Sequence, residues 1–140
     1  GVPRNTRIPA TADASYADLG LCGPDRTDLS DKAALCGQFK VPTLRNVATR
    51  KVFFHNGQFT SLREAVRFYV QRDTNPERWY PLLANGAVDK FNDLPAAYRA
   101  NVNISEAPYN RQPGMAPALN EAEIEDVLQF LGTLTDGYRP

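Results

Sequence analysis

Histidine, methionine and tryptophan occur once each in the 140 residues, and cysteine only twice. This scarcity excludes much chemistry. Two cysteines and one distant histidine cannot complete a tetrahedral zinc site. No serine motif accompanies the histidine, so a hydrolase triad has no support, and there is no glycine-rich phosphate loop of the P-loop or Rossmann type. Net charge is lacking too: sixteen basic and sixteen acidic residues cancel. That balance argues against a nucleic-acid partner held by backbone electrostatics. No apolar run reaches the roughly 18–20 residues of a membrane helix, so membrane insertion is not expected. The chain begins with Gly and carries no signal-peptide pattern, and is therefore expected to be a processed protein or a piece of a larger one.

What is present is an ordinary globular composition, 42% hydrophobic and 23% charged, at a length suited to a single domain spanning 1–140. Charge is unevenly spread. Residues 1–70 hold ten Lys/Arg against six Asp/Glu, and residues 71–140 the reverse imbalance, six against ten. A basic first half could face an anionic group, and a solvated charged face explains it equally well.

Eleven prolines and nine glycines imply short elements joined by fixed turns. Residues 1–28 have no sustained period and read as a loop-rich arm. Residues 30–36 are expected to form a short helix with Ser30 as N-cap and Asp31 in its first turn. Thr43 is placed to cap a turn over 44–47. The clearest helix covers 61–71: Ser61 and Glu64 form an S-x-x-E capping box, and Leu62, Ala65, Val66 and Tyr69 share one apolar face. A second covers 121–135, with Asn120 and Glu123 at its start, a stripe of Ile124, Val127, Leu128, Leu131 and Leu134, and an exit at Asp136-Gly137. A third over 93–101 would open at Leu94-Pro95. Residues 73–92 and 102–119 read as loop, and the β-like stretch 51–54 is too short for a sheet. The expected fold is mostly α with long irregular loops, which in a compact domain usually wrap a ligand or a partner.

Cys22 and Cys36 fit a disulfide that staples the arm to the first short helix, closing a loop of about 15 residues for roughly 3 kcal/mol and implying an oxidising compartment. Two buried free thiols are the alternative. No C-x-x-C-H motif is present, so the chain cannot itself attach a c-type haem by two thioethers. His55 lies in Phe53-Phe54-His55-Asn56-Gly57, between aromatics and a tight Asn-Gly turn. Taken alone, such a histidine is a hydrogen-bonded structural residue more often than a ligand.

Three stretches carry a more specific message: Phe39-Lys-Val-Pro-Thr-Leu-Arg-Asn-Val-Ala48, Phe53-Phe-His-Asn-Gly57 and Ser61-Leu-Arg-Glu-Ala-Val-Arg-Phe-Tyr69. Together they closely resemble the bacterial di-haem cytochrome c peroxidase family, in particular its MauG-like branch. Gly1-Val-Pro-Arg-Asn5, Asp18-Leu-Gly-Leu-Cys-Gly-Pro24 and Leu131-Gly-Thr-Leu-Thr-Asp-Gly-Tyr138 are similar to that branch as well. The resemblance implies the C-terminal portion of a cytochrome c-like domain, the second of two haem domains, beginning after its C-x-x-C-H. It implies a periplasmic protein working with peroxide or stored oxidising equivalents, and a c-type haem attached upstream of this chain. Its partners would be the N-terminal haem domain of the same protein and a redox partner: a small cytochrome, a cupredoxin or a protein substrate.

The resemblance also assigns residues. Tyr69 stands where the family places the distal axial ligand of the second haem, a Met in many members and a Tyr in the MauG-like branch. A phenolate oxygen is a hard anionic donor that favours ferric iron. Read from the residues alone, Tyr69 is one more member of the apolar stripe. Met115, in Gly114-Met115-Ala116-Pro117 before the last helix, is the alternative ligand, by similarity to single-haem cytochromes. His55 and Arg45 match positions near the haem propionates, where a planar guanidinium suits a carboxylate; an exposed cap residue is the plainer reading of Arg45. The family also binds calcium through two backbone carbonyls, which fall here at Arg50 and Val52. On this resemblance the chain belongs to an oxidoreductase and is inactive by itself. The alternatives are a haem-free structural or interaction module and an electron-carrier cytochrome c domain.

Overall fold

Two helices start where their capping residues stand in the computed structural model, which describes residues 1–137. Tyr138, the last residue of one quoted motif, lies outside them. The single turn α1, Pro9–Ala12, interrupts an arm expected to be irregular; α2 is Leu62–Gln71 and α3 is Glu121–Thr133. Four 3-10 turns, Ala33–Leu35, Val47–Thr49, Pro76–Arg78 and Ala96–Asn101, complete the regular structure. Among the described residues pairing is limited to isolated bridges, such as Phe53 with Phe59 and Leu82 with Val88. Among the described residues the chain is thus helix and loop without a sheet, mostly α as the sequence suggests.

The chain gathers into two compact units, one made of Gly1–Val41 with Glu77–Asn103 and the other of Pro42–Pro76 with the stretch from Ile104 onward. In the first, the Cys22–Cys36 disulfide is present. Asn101 Nδ2 braces it by donating to the carbonyls of Ala33 (2.9 Å) and Cys36 (3.0 Å). Gly20 has a left-handed backbone, φ +61°, and any Cβ there would collide with the Gln38 carbonyl. The first residues are tied down as well: Val2 N–H donates to Asp93 Oδ2 (3.3 Å), Arg4 N–H to Asn92 Oδ1 (3.0 Å), and the Tyr80 hydroxyl to the Gly1 carbonyl (3.0 Å).

In the second unit, α3 carries a complete capping box. Asn120 Oδ1 accepts from the N–H groups of Ala122 (2.9 Å) and Glu123 (3.0 Å), and Glu123 accepts from the Asn120 N–H (2.8 Å). Ile124 and Leu131 form its buried edge. Arg63 of α2 pairs with Glu125 of α3, and Arg67 with Glu121 at 2.6 Å. Asn46 adopts the left-handed conformation (φ +58°), donates its N–H to the Leu134 carbonyl (2.9 Å) and accepts from Asp136 N–H through Oδ1 (3.0 Å). Asn tolerates that backbone better than most side chains. Asn120→Ala should cost about 1 kcal/mol by leaving N-terminal donors of α3 unpaired. A urea titration checks this: the midpoint should fall with the slope unchanged.

Several local expectations need correction. The 30–36 segment is a 3-10 turn over Ala33–Leu35 without a side-chain cap; the Ser30 hydroxyl donates to the Thr27 carbonyl instead (2.9 Å), an alternative open to any short hydroxyl side chain. The turn over 44–47 is present as expected, with Val47 N–H on the Leu44 carbonyl (3.1 Å) and Thr43 Oγ1 accepting from Arg45 N–H (3.2 Å), and the 3-10 turn Val47–Thr49 follows it. The 93–101 helix is the 3-10 turn Ala96–Asn101, and α3 ends at Thr133 rather than at 135. On α2 the buried residues are Ala65, Phe68 and Val70, whereas Leu62 and Val66 are half-buried and Tyr69 is exposed. Phe68 explains the roll. Its ring is the largest apolar group on the helix, and it packs on Phe54 and Phe59 at centroid distances of 5.3 and 5.1 Å.

Candidate functional site

Phe53–Phe59 folds back on itself so that aromatic rings collect on one side of α2. Phe53 N–H donates to the Phe59 carbonyl (2.9 Å), Gly57 N–H to the Phe54 carbonyl (3.2 Å), and Asn56 Oδ1 accepts from Gln58 N–H (3.1 Å). This is the tight turn signalled by Asn56-Gly57, with Gly57 at φ +59°. Phe54 then meets Phe59, Phe68 and Tyr69 at centroid distances of 5.4, 5.3 and 5.2 Å. Tyr69 also meets Tyr109, 6.1 Å away at an interplanar angle of 36°.

Tyr69 is 44% exposed. Among the described residues its hydroxyl has no hydrogen-bond partner, and its ring contacts are with Phe54 and Tyr109. Partial burial pushes the phenol above the ordinary tyrosine range, so it is protonated at neutral pH. The result is a protonated phenol on an exposed residue, with two aromatic rings beside it.

Tyr109 is anchored from behind. The Arg72 guanidinium lies 4.0 Å from its ring centroid, within cation–π range. Arg72 in turn donates from Nε to Asp73 Oδ2 at 2.8 Å, and both members of this ion pair are only 4% exposed. Desolvation, with a smaller contribution from the Tyr69 phenol, pushes Tyr109 far above its usual value.

The other residues singled out in the sequence are not in direct contact with Tyr69. Arg45 pairs with Asp136, its Nε and Nη2 lying 2.8 and 2.7 Å from Oδ2. The fork that the resemblance reserves for a propionate thus already holds a carboxylate. His55 is exposed at the corner of the 54–57 turn. Met115 is 54% exposed, with its sulfur accepting the Gln112 N–H at 3.2 Å inside its own loop. Arg50 and Val52 are exposed, with Lys51 between them. Their two carbonyls would be a minority of the six to eight oxygens calcium takes, and two adjacent cationic side chains oppose a dication. Among the described residues no three His, Cys, Asp or Glu side chains are grouped for a metal ion, and no helix is long and apolar enough to cross a membrane.

Sequence reasoning missed Tyr109, Phe54 and the Arg72–Asp73 pair as parts of this site. Residues 102–119 have no period, and a ring contact between positions 69 and 109 leaves no local trace. The one available signal for Phe54 was its place beside the Asn-Gly turn.

Comparison with known proteins points to di-haem peroxidases. No family model matches the chain. It is 33% identical to the methylamine utilization protein MauG of Paracoccus denitrificans over 145 residues, covering 97% of this chain and 32% of MauG. It is 31% identical to the cytochrome c551 peroxidase of Nitrosomonas europaea over 88 residues, covering 54% of this chain and 26% of that protein. Among solved structures it superposes on the di-haem peroxidase BthA of Burkholderia thailandensis with a TM-score of 0.84 at 43% identity, covering 97% of this chain and 32% of BthA. A BthA variant with tyrosine replaced by methionine gives the same TM-score at 44% identity. The chain spans about a third of the length of these relatives.

Proposed function

The chain is a segment of the di-haem cytochrome c peroxidase/MauG family, and from that premise we propose that it forms the distal wall of a haem site in a periplasmic, peroxide-linked oxidoreductase. It would be the C-terminal part of the second haem domain. The observation that carries this reading is Tyr69, exposed, without a hydrogen bond to its hydroxyl among the described residues and in ring contact with Phe54 and Tyr109.

The donor set fits the group. The Tyr69 phenol oxygen would hold the iron, and the half-buried rings of Phe54 and Tyr109 beside it would give apolar surface to the macrocycle. A c-type haem bound there, attached through residues upstream of this chain, would supply the electron-transfer chemistry. Tyr69 would give up its proton on ligation, a loss made harder by its raised pKa in the unliganded chain. As a phenolate it would favour the ferric state over the ferrous one. Arg45 would hold a propionate by exchanging it for Asp136, with His55 as a second polar contact. The carbonyls of Arg50 and Val52 would add two oxygens to a calcium site otherwise built from outside the chain. Upstream, the partner is the N-terminal haem domain; beyond it, a small redox protein or a protein substrate. The disulfide suits an oxidising compartment.

Tyr69→Phe in the haem-loaded protein tests the reading. The low-spin optical spectrum should change, while folding stability should move by no more than about 0.5 kcal/mol, because the hydroxyl makes no hydrogen bond among the described residues. An unchanged spectrum would leave Tyr69 a packing residue. A change only in Met115→Leu would transfer the ligand role to Met115. A full-length protein without a Soret band would favour a haem-free interaction module.

A further inference from the structure

We propose that Phe54 and Tyr109 are positioning residues for Tyr69, two ring walls that fix the direction of its phenol and are each anchored independently of the ligand. The functional weight of this arrangement rests on the reading of Tyr69 as an axial donor; the ring geometry does not.

An exposed tyrosine on a helix surface is free to change rotamer unless something stops it, because side-chain freedom is entropically favoured. No hydrogen bond to a described residue holds the Tyr69 hydroxyl. Packing must do so, and only two rings touch it: Phe54 at 5.2 Å and 40°, Tyr109 at 6.1 Å and 36°. The Phe54 wall is built at a cost. Phe54 has φ +65°, a left-handed backbone that a bulky residue adopts only when its surroundings enforce it. Phe59 and Phe68 enforce it, gripping the ring edge-on at interplanar angles of 63° and 78°. Strain retained beside a candidate site is a reason to look for a role there.

Tyr109 is held by different means. Its N–H donates to the Glu106 carbonyl at 2.7 Å, which fixes the backbone, and the Arg72 guanidinium lies over the ring. The Tyr109 hydroxyl, like that of Tyr69, has no hydrogen-bond partner among the described residues. Its contribution is therefore the ring, and removing the hydroxyl should change nothing.

Nuclear magnetic resonance of the chain with labelled aromatic side chains tests this directly. In wild type, Tyr69 ring protons should show ring-current-shifted signals and cross-relaxation to Phe54. Tyr109→Phe should preserve both. Tyr109→Leu should move the Tyr69 signals toward free-tyrosine positions and at least halve the Tyr69–Phe54 cross-peaks, with amide signals elsewhere unchanged. In the haem-loaded protein the same variant should lower the low-spin fraction at least twofold, and Tyr109→Phe should leave it alone. Tyr69 signals that stay in place in Tyr109→Leu would overturn the proposal. Should that variant lose its dispersed spectrum, Phe54→Leu makes the same comparison from the other wall, with the same outcome required. Failure of the ligand reading would appear separately, as a silent Tyr69→Phe optical spectrum beside intact ring order.

Discussion

Asp73→Ala should destabilise the chain by about 3–5 kcal/mol, the largest effect expected of any single substitution considered. Arg72 and Asp73 form a buried pair. Removing the carboxylate takes a counter-charge at 2.8 Å from a guanidinium held out of water, and that part of its desolvation cost is no longer offset. Arg72 would also lose the partner that aims it at Tyr109, so the aromatic wall should loosen together with the fold. Replacing both residues, Arg72→Met with Asp73→Ala, should cost less than Asp73→Ala alone, because the buried positive charge goes together with its counter-charge. Chemical denaturation of the three variants checks the order. A double variant as unstable as the single one would mean that the guanidinium itself, through its stack on Tyr109, carries the stability.

Loss of the disulfide should be the next largest effect. Cys22 and Cys36 are 14 positions apart, and a loop of that size corresponds to roughly 3 kcal/mol of unfolded-state entropy. The bonds from Asn101 to the Ala33 and Cys36 carbonyls should weaken with it. Cys22→Ser with Cys36→Ser should therefore lower the denaturation midpoint, and reductant should lower that of wild type by a similar amount. Mass analysis of unreduced protein should find no free thiol. Two free thiols, or a stability loss below about 1 kcal/mol, would mean that the arm is held by the ties of Val2, Arg4 and Tyr80 instead.

How much of this was legible in the sequence follows the range of the interactions. Asn120 and Ser61 mark helix starts because a cap bonds to N–H groups two or three residues away, and Asn56-Gly57 marks its turn for the same reason. The disulfide was readable from a segment otherwise poor in core residues. What periodicity could not supply was the roll of α2. The 3.6-residue pattern favoured Leu62, Val66 and Tyr69, and the rings of Phe54 and Phe59, from outside the helix, drew Phe68 inward. Tyr69 is instructive here. Its spacing is that of a core residue, yet it is exposed, and only the family resemblance gave a reason for an aromatic hydroxyl at that place. Arg45 shows the opposite case. A planar fork was expected to await an anion, and Asp136, 91 positions away, already fills it.

The interleaving of the two units also sets an order in time. Each unit combines an early stretch of chain with a late one, 1–41 with 77–103 and 42–76 with residues from 104 onward. During synthesis the Phe54–Phe59–Phe68 cluster can form as soon as α2 has been made, since its members lie within 15 residues. Arg63 and Arg67 cannot find Glu125 and Glu121 until α3 follows. At 5–20 residues per second, that leaves α2 without its partner helix for roughly 3–10 s. Contacts this distant in sequence also slow refolding of the finished chain. The helix that carries Tyr69 is therefore early to form and late to be secured, and it must be kept from misassociation by its own polar flank in the interval.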